Sequence, residues 1–202
     1  MTTAILIHGM GRTPLSMLLL AARLRLGGMR PKLFGYSATF EGWRTCKDRL
    51  IAFIEKNTVQ EKYILVGHSL GTVLARTVIT EIENPPQACF LLAPPTQACM
   101  AARKLARRKL YRWCTGEMGQ LLASQQFMNE LPRSDIPTKI YAGTGGLTGR
   151  YSPFGEKLND GVLAVDEARL PDVPLEMVPA IHTCIMNAKL VAKDIIKLTD
   201  IH

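Results

Sequence analysis

Apolar residues fall in short continuous runs along this chain, at 3–7, 31–35, 62–66, 87–92, 138–142 and 174–178, and stretches of a different rhythm fill the space between them. Runs this short, apolar throughout instead of alternating with polar residues, read as strands of a parallel sheet buried on both faces. The intervening stretches repeat their apolar positions every three to four residues. Leu50, Ile51 and Ile54 do so within 44–56, Leu70, Val73, Leu74, Val78 and Ile82 within 70–82, and Ile185, Leu190, Ile195 and Ile196 within 182–199. Each predicts a helix with one face turned to a core. Over 14–26 the helix is predicted by its end signals, with Thr13 as cap, Pro14 at the first helical position and Gly27-Gly28 as stop.

Strands alternating with helices predict an α/β chain, doubly wound about a mostly parallel sheet of about six strands as a three-layer α/β/α sandwich. No repeat or low-complexity linker divides residues 1–202, so one domain is expected. Residues 96–131 interrupt the rhythm. This segment is longer than a normal crossover and predicts a helical, cap-like insertion between the fourth and fifth strands, with helices near 97–113 and 118–130.

Composition narrows the function classes. With 47% apolar and 21% charged residues the chain can bury a sizeable core, which excludes intrinsic disorder. The longest apolar stretch, around Leu18 to Ala22, is too short to cross a bilayer. The chain opens on the strand-like run Ala4-Ile5-Leu6-Ile7 with no basic region and cleavage site, so a cytoplasmic protein is expected. Five cysteines, an odd number without a C-x-x-C pair, read as reduced fillers, and the four histidines lack ligand spacing, so neither a metal nor another cofactor is implied. Gly9-x-Gly11 is followed by Pro14 where a dinucleotide loop needs glycine, and the glycine-rich 143–149 lacks the G-K-[ST] ending of a phosphate cradle and reads as a mobile loop.

The net charge of +8 matters through its placement. Within 97–113, Lys104, Arg108 and Arg112 recur every four residues with Arg103 and Arg107 beside them, while Ala102, Leu105, Ala106 and Trp113 fall nearer the other side. Such a helix is either a solvated surface or an interfacial element that draws the protein to anionic membrane through 103–112. Aromatic interleaving and a recognised nucleic-acid fold are both missing, so no nucleic acid partner is expected.

The chemistry starts at "LVGHSLG" (65–71). A serine hydroxyl is a weak nucleophile at neutral pH and needs a neighbouring base and a position clear of the backbone. Gly67-His68-Ser69-Leu70-Gly71 supplies the position: a strand ends, the chain turns sharply and a helix begins, with glycines letting strand and helix approach. The pattern is loose by itself, but the predicted strand before it and helix after it are the context it requires.

Three stretches, "ILIHGMGRT" (5–13), "LVGHSLG" and "VPAIHTCIM" (178–186), occur in the order found in small lipase- or esterase-like α/β-hydrolases, which this chain resembles over nearly its whole length. The resemblance implies a serine hydrolase acting on a small-molecule or lipid ester. Acyl transfer or thioester cleavage on the same residues stays open, as does a non-catalytic binding protein of the same fold. Among the histidines, His8 belongs to the turn after the first strand, His68 to the elbow and His202 to the chain end, which leaves His182 as the base. The family order places the acid between Ser69 and His182. Asn159-Asp160-Gly161-Val162 resembles the acid-bearing turn, so Asp160 is preferred and Asp166 held in reserve, although eighteen positions separate Ala142 from Asp160 and a turn aspartate bonded only to local backbone is the competing reading. By the same resemblance the backbone N–H groups of Met10 and Leu70 form the oxyanion hole. Tyr36, Phe40 and Trp43 follow the second strand and either line an acyl pocket or cover the core.

Overall fold

The computed structural model describes residues 1–59, 61–132 and 135–200. The six apolar runs become β1 (Thr3–Ile7), β2 (Arg30–Phe34), β3 (Tyr63–His68), β4 (Ala88–Leu92), β5 (Thr138–Gly143) and β6 (Leu175–Val178). They form one sheet in the order β2-β1-β3-β4-β5-β6 with every neighbouring pair parallel. The inner strands β1, β3 and β4 are buried along their whole length. The edge strand β2 carries Pro31, which lacks an N–H and is accommodated where one side of a strand is unpaired.

The helices are α1 (Leu18–Leu26), α2 (Trp43–Asn57), α3 (Leu70–Val78), α4 (Met100–Leu105), α5 (Lys109–Ala123), α6 (Gln125–Glu130) and α7 (Lys189–Asp200). Side chains alternate across each strand, so the sheet feeds two cores. Ile5 and Ile7 join Leu50 and Ile54 of α2 and Val73 and Leu74 of α3, while Ala4 and Leu6 join Leu20 and Leu24 of α1 and Val191 and Ile195 of α7. This is the three-layer sandwich, and each fully buried Leu or Ile contributes about 1.5–3 kcal/mol of transfer free energy.

The chain runs from β1 outward to β2, then returns to place β3 on the other side of β1 and continues toward β6. Where the winding direction reverses, the carboxyl ends of β1 and β3 open onto a crevice. His8 and Ser69 follow those two ends directly.

Several boundaries differ from the sequence expectation. Thr13 occupies the cap position, but its side chain makes no capping bond, and the segment starts as a 3-10 turn over Pro14–Met17 before α1. The helical pattern of 182–199 divides into a 3-10 turn, His182–Asn187, and α7, with Ala188 extended between them. The insertion holds three helices, not two. Arg108 is extended (φ −81°, ψ 127°) and separates α4 from α5, and Gly116 (φ 54°, ψ −144°) kinks α5 where a Cβ would lie 3.0 Å from Ala38 O. The cations expected along one helix therefore bend around a corner. His202, read as part of the chain end, lies outside the described residues.

Candidate active site

Ser69 stands between β3 and α3 with φ 51° and ψ −121°, a region that residues with a Cβ rarely occupy. Holding it there costs about 1–3 kcal/mol, which the surroundings must offset. They do so through backbone bonds: Ser69 N–H donates to Leu92 O (2.9 Å), and Ser69 O accepts from Thr72 N–H (2.9 Å) and the Thr72 hydroxyl (2.6 Å). Close approach explains the flanking glycines. A Cβ on Gly71 would sit 2.4 Å from Ile7 O, and one on Gly67 would sit 2.7 Å from the Gly71 carbonyl.

His182 opens the 3-10 turn after β6, and its ring reaches Ser69 from 113 positions away in sequence, with Nε2 3.0 Å from Ser69 Oγ. Its Nδ1 lies 2.7 Å from Asp160 Oδ2. A carboxylate only accepts, so Nδ1 carries the proton and Nε2 is left to accept from the serine hydroxyl. Both Asp160 and His182 are buried. The backbone joins them as well, since His182 N–H donates to Asp160 O (2.8 Å).

The two readings of Asp160 describe its two oxygens. Oδ1 accepts from Val162 N–H (2.9 Å) and Leu163 N–H (2.7 Å), the local turn bonds, and Oδ2 faces the imidazole. The turn bonds hold the carboxylate so that its free oxygen aims at Nδ1. Asp166 lies elsewhere, exposed and 3.3 Å from Lys157 Nζ. Asp135 and Asp172 are exposed.

The glycine-rich 143–149, read in sequence as a mobile loop, is tied to its neighbours at its start. Thr144 N–H donates to Val178 O, Gly145 N–H to Ala180 O and Gly146 N–H to Asn159 O, all within 3.0 Å. A Cβ on Gly143 would come 2.7 Å from Asp160 Cβ, and one on Gly146 1.9 Å from Asn159 Oδ1. Missing side chains here let the strand end, the acid turn and the histidine loop crowd together.

Two further histidines brace the site. His8 stacks on Tyr36 with ring centroids 4.4 Å apart, and the Tyr36 hydroxyl donates to His8 O (2.9 Å). His8 Nδ1 donates to Gly9 O (2.9 Å), and burial lowers its pKa. In sequence His68 is only the interior residue of the elbow, yet its Nε2 donates to His182 O at 2.9 Å. Burial pushes its pKa down to about 3, with the neighbouring His182 adding to the shift, so the ring is neutral. Its Nδ1 is buried without a hydrogen-bond partner among the described residues. Nothing in the local sequence signals this bond, because its partners are 114 positions apart. Arg12, which the sequence reading does not single out, donates from Nη2 to Thr183 O (3.2 Å), next to His182.

Leu70 is the first residue of α3, so its N–H has no acceptor within the helix. Met10 follows Gly9, at which a Cβ would lie 3.1 Å from Ser69 Cβ and 2.8 Å from His68 Nδ1, so the turn after β1 runs against the elbow. The three aromatics do not gather into one pocket. Tyr36 is buried against His8, Trp43 packs edge-on to Phe127 of α6 at 5.1 Å, and Phe40 is 90% exposed. The loop after β2 turns between them, with Phe40 N–H bonded to Ser37 Oγ, and sends each ring in a different direction.

No protein-family model matches the chain. No curated protein sequence matches it either. Among solved structures, the mature lipase of Bacillus licheniformis is similar with a TM-score of 0.74 and 18% identity, covering 98% of this chain and 91% of the lipase. An extracellular α/β-hydrolase from a Paenibacillus species matches with a TM-score of 0.64 and 16% identity over 98% of each chain. A methylesterase from Arabidopsis matches with a TM-score of 0.65 and 12% identity over the full length of both. The chain has the α/β-hydrolase fold. At these identities the likeness extends to the fold alone, and the chemistry rests on this chain's own residues.

Proposed function

We propose that the protein is a serine hydrolase cleaving carboxylic esters through an acyl-enzyme intermediate. The observation that carries this reading is the unbroken line from Ser69 Oγ to His182 Nε2 (3.0 Å) and from His182 Nδ1 to Asp160 Oδ2 (2.7 Å), on a serine held at positive φ. Ser69 Oγ attacks the ester carbonyl carbon as its proton passes to His182 Nε2, and the carbonyl oxygen takes up the negative charge. The N–H groups of Leu70 and Met10 stabilise that charge, the largest single contribution in such reactions. Collapse breaks the bond to the alcohol oxygen, which leaves with the proton from His182. Water then repeats the sequence on the acyl-enzyme and frees the acid. Asp160 keeps the imidazole in the tautomer that accepts at Nε2.

The solved structures of similar fold include a lipase and a methylesterase, which agrees with an ester substrate. All five cysteines are free thiols, which agrees with a reducing compartment and with the reading of a cytoplasmic protein, peripheral at a membrane surface. A fluorophosphonate probe tests the reading: it should label the wild type covalently and leave Ser69→Ala unlabelled. A folded wild type that takes no label would point instead to a binding protein. Labelling with turnover of thioesters but not of an ester panel graded by acyl length would move the substrate class.

A further inference from the structure

We infer that the corner between α4 and α5 is a docking surface for anionic phospholipid bilayers. Arg103, Lys104, Arg107, Arg108, Lys109 and Arg112 are all exposed, and no acidic residue occurs between positions 97 and 116. Among the described residues none of the six is held in an ion pair. The corner is therefore a cluster of unpaired cations, and only Arg103, at its edge, shares a cavity with the carboxylates of Asp166 and Glu167.

Charge alone would describe a solvated surface, but apolar side chains stand among these cations. Trp113 is 77% exposed and Leu110 71%, three positions apart and so on one side of α5. The helix meets the core through Thr115, Met118 and Leu122, a stripe that includes neither of them. Leu105 at the end of α4 is also exposed. Packing thus explains neither Leu110 nor Trp113, and Leu105 is partly covered at 38% exposure. A tryptophan with aliphatic neighbours, ringed by lysine and arginine, matches a bilayer interface, where indole sits at headgroup depth and the cations meet lipid phosphates and carboxylates. Nucleic acid offers no apolar phase to leucine, which decides for lipid.

The segment that carries the patch is also tied to loops at the carboxyl edge of the sheet. The insertion leaves from the carboxyl end of β4, whose Leu92 carbonyl holds Ser69 N–H at 2.9 Å. The Thr39 hydroxyl donates to Cys114 O (2.6 Å) and so joins α5 to the loop after β2, at positions next in sequence to the exposed Trp113 and Phe40. Docking there would turn the carboxyl edge of the sheet toward the membrane.

The inference goes beyond the hydrolase reading and is tested without it, by vesicle cosedimentation of the Ser69→Ala protein. It should bind phosphatidylcholine vesicles doped with phosphatidylserine, bind pure phosphatidylcholine weakly, and release at high salt. The Arg107→Gln/Arg108→Gln/Lys109→Gln variant should lose about 10²-fold in partitioning, at about fivefold per charge removed. In a Trp43→Phe background the Trp113 emission should shift to the blue on binding. Circular dichroism and melting of each variant check its fold. Equal binding to both vesicle types, unchanged binding by the triple variant, no emission shift, or tight binding to DNA with none to vesicles would each overturn the inference.

Discussion

His68 Nε2 donates to the carbonyl oxygen of His182 across 2.9 Å, so the elbow that carries Ser69 also grips the backbone of the residue whose ring faces Ser69. The distance between Ser69 and His182 is thereby set inside one hydrogen-bonded unit, without reliance on the length of the intervening chain.

Removing that donor should cost rate more than stability. His68→Phe keeps the bulk and loses the bond, and is expected to lower kcat for ester hydrolysis up to about 10²-fold, the scale of an ångström-level misplacement. His68→Gln restores an N–H near the same position and should recover most of the loss. Steady-state kinetics on the pair, with melting curves alongside, checks this; full activity in His68→Phe would refute it.

Asp160 permits a cleaner separation. Asp160→Asn retains an oxygen for Val162 and Leu163 N–H but turns an amide toward Nδ1, which forces the wrong tautomer on His182. The expected outcome is a fall in kcat of about 10⁴-fold with a nearly unchanged Tm. Asp160→Ala loses the turn bonds as well and should melt lower than the asparagine variant. Equal melting of the two would contradict the assigned division between Oδ1 and Oδ2.

Gly71→Ala should destabilise the fold, against the helix-propensity expectation of about 1 kcal/mol of gain. The added Cβ would stand 2.4 Å from Ile7 O and 2.6 Å from His8 O, both backbone atoms unable to swing away. Overpacking of this kind costs about 1–3 kcal/mol. Thermal unfolding decides, and a raised Tm would be the contrary result.

Mild acid should weaken the fold through its buried histidines. An unfolded histidine takes a proton near pH 6.5, whereas folded His68 resists until about pH 3, with His8 shifted in the same direction. Between these values the unfolded state binds more protons, so stability falls as pH falls. His68 alone accounts for a slope of about 1.4 kcal/mol per pH unit well below pH 6.5, and it contributes none above about pH 7. Urea unfolding between about pH 6.5 and 5, above the usual carboxylate range, measures the slope. His68→Gln should flatten it, and an unchanged slope in that variant would rule out this source.

The sequence by itself determined the layers. Runs such as Ile64-Leu65-Val66 and the helical spacing of Leu50 and Ile54 encode burial residue by residue, and that local signal was enough to read six parallel strands, their order along the chain and an insertion before β5. The elbow was legible for the same reason, since glycine, serine and glycine at the junction of strand and helix are a local pattern. Tertiary structure alone decided which distant groups meet. It divided the oxygens of Asp160 between turn and imidazole, set His68 against His182 O, sent Tyr36, Phe40 and Trp43 apart, and stitched Gly145 and Gly146 to the histidine and acid loops. Such contacts depend on how packed layers bring loop ends to a common edge, and residues on separate loops, whether 22 positions apart as Asp160 and His182 or 114 as His68 and His182, carry no local trace of that geometry.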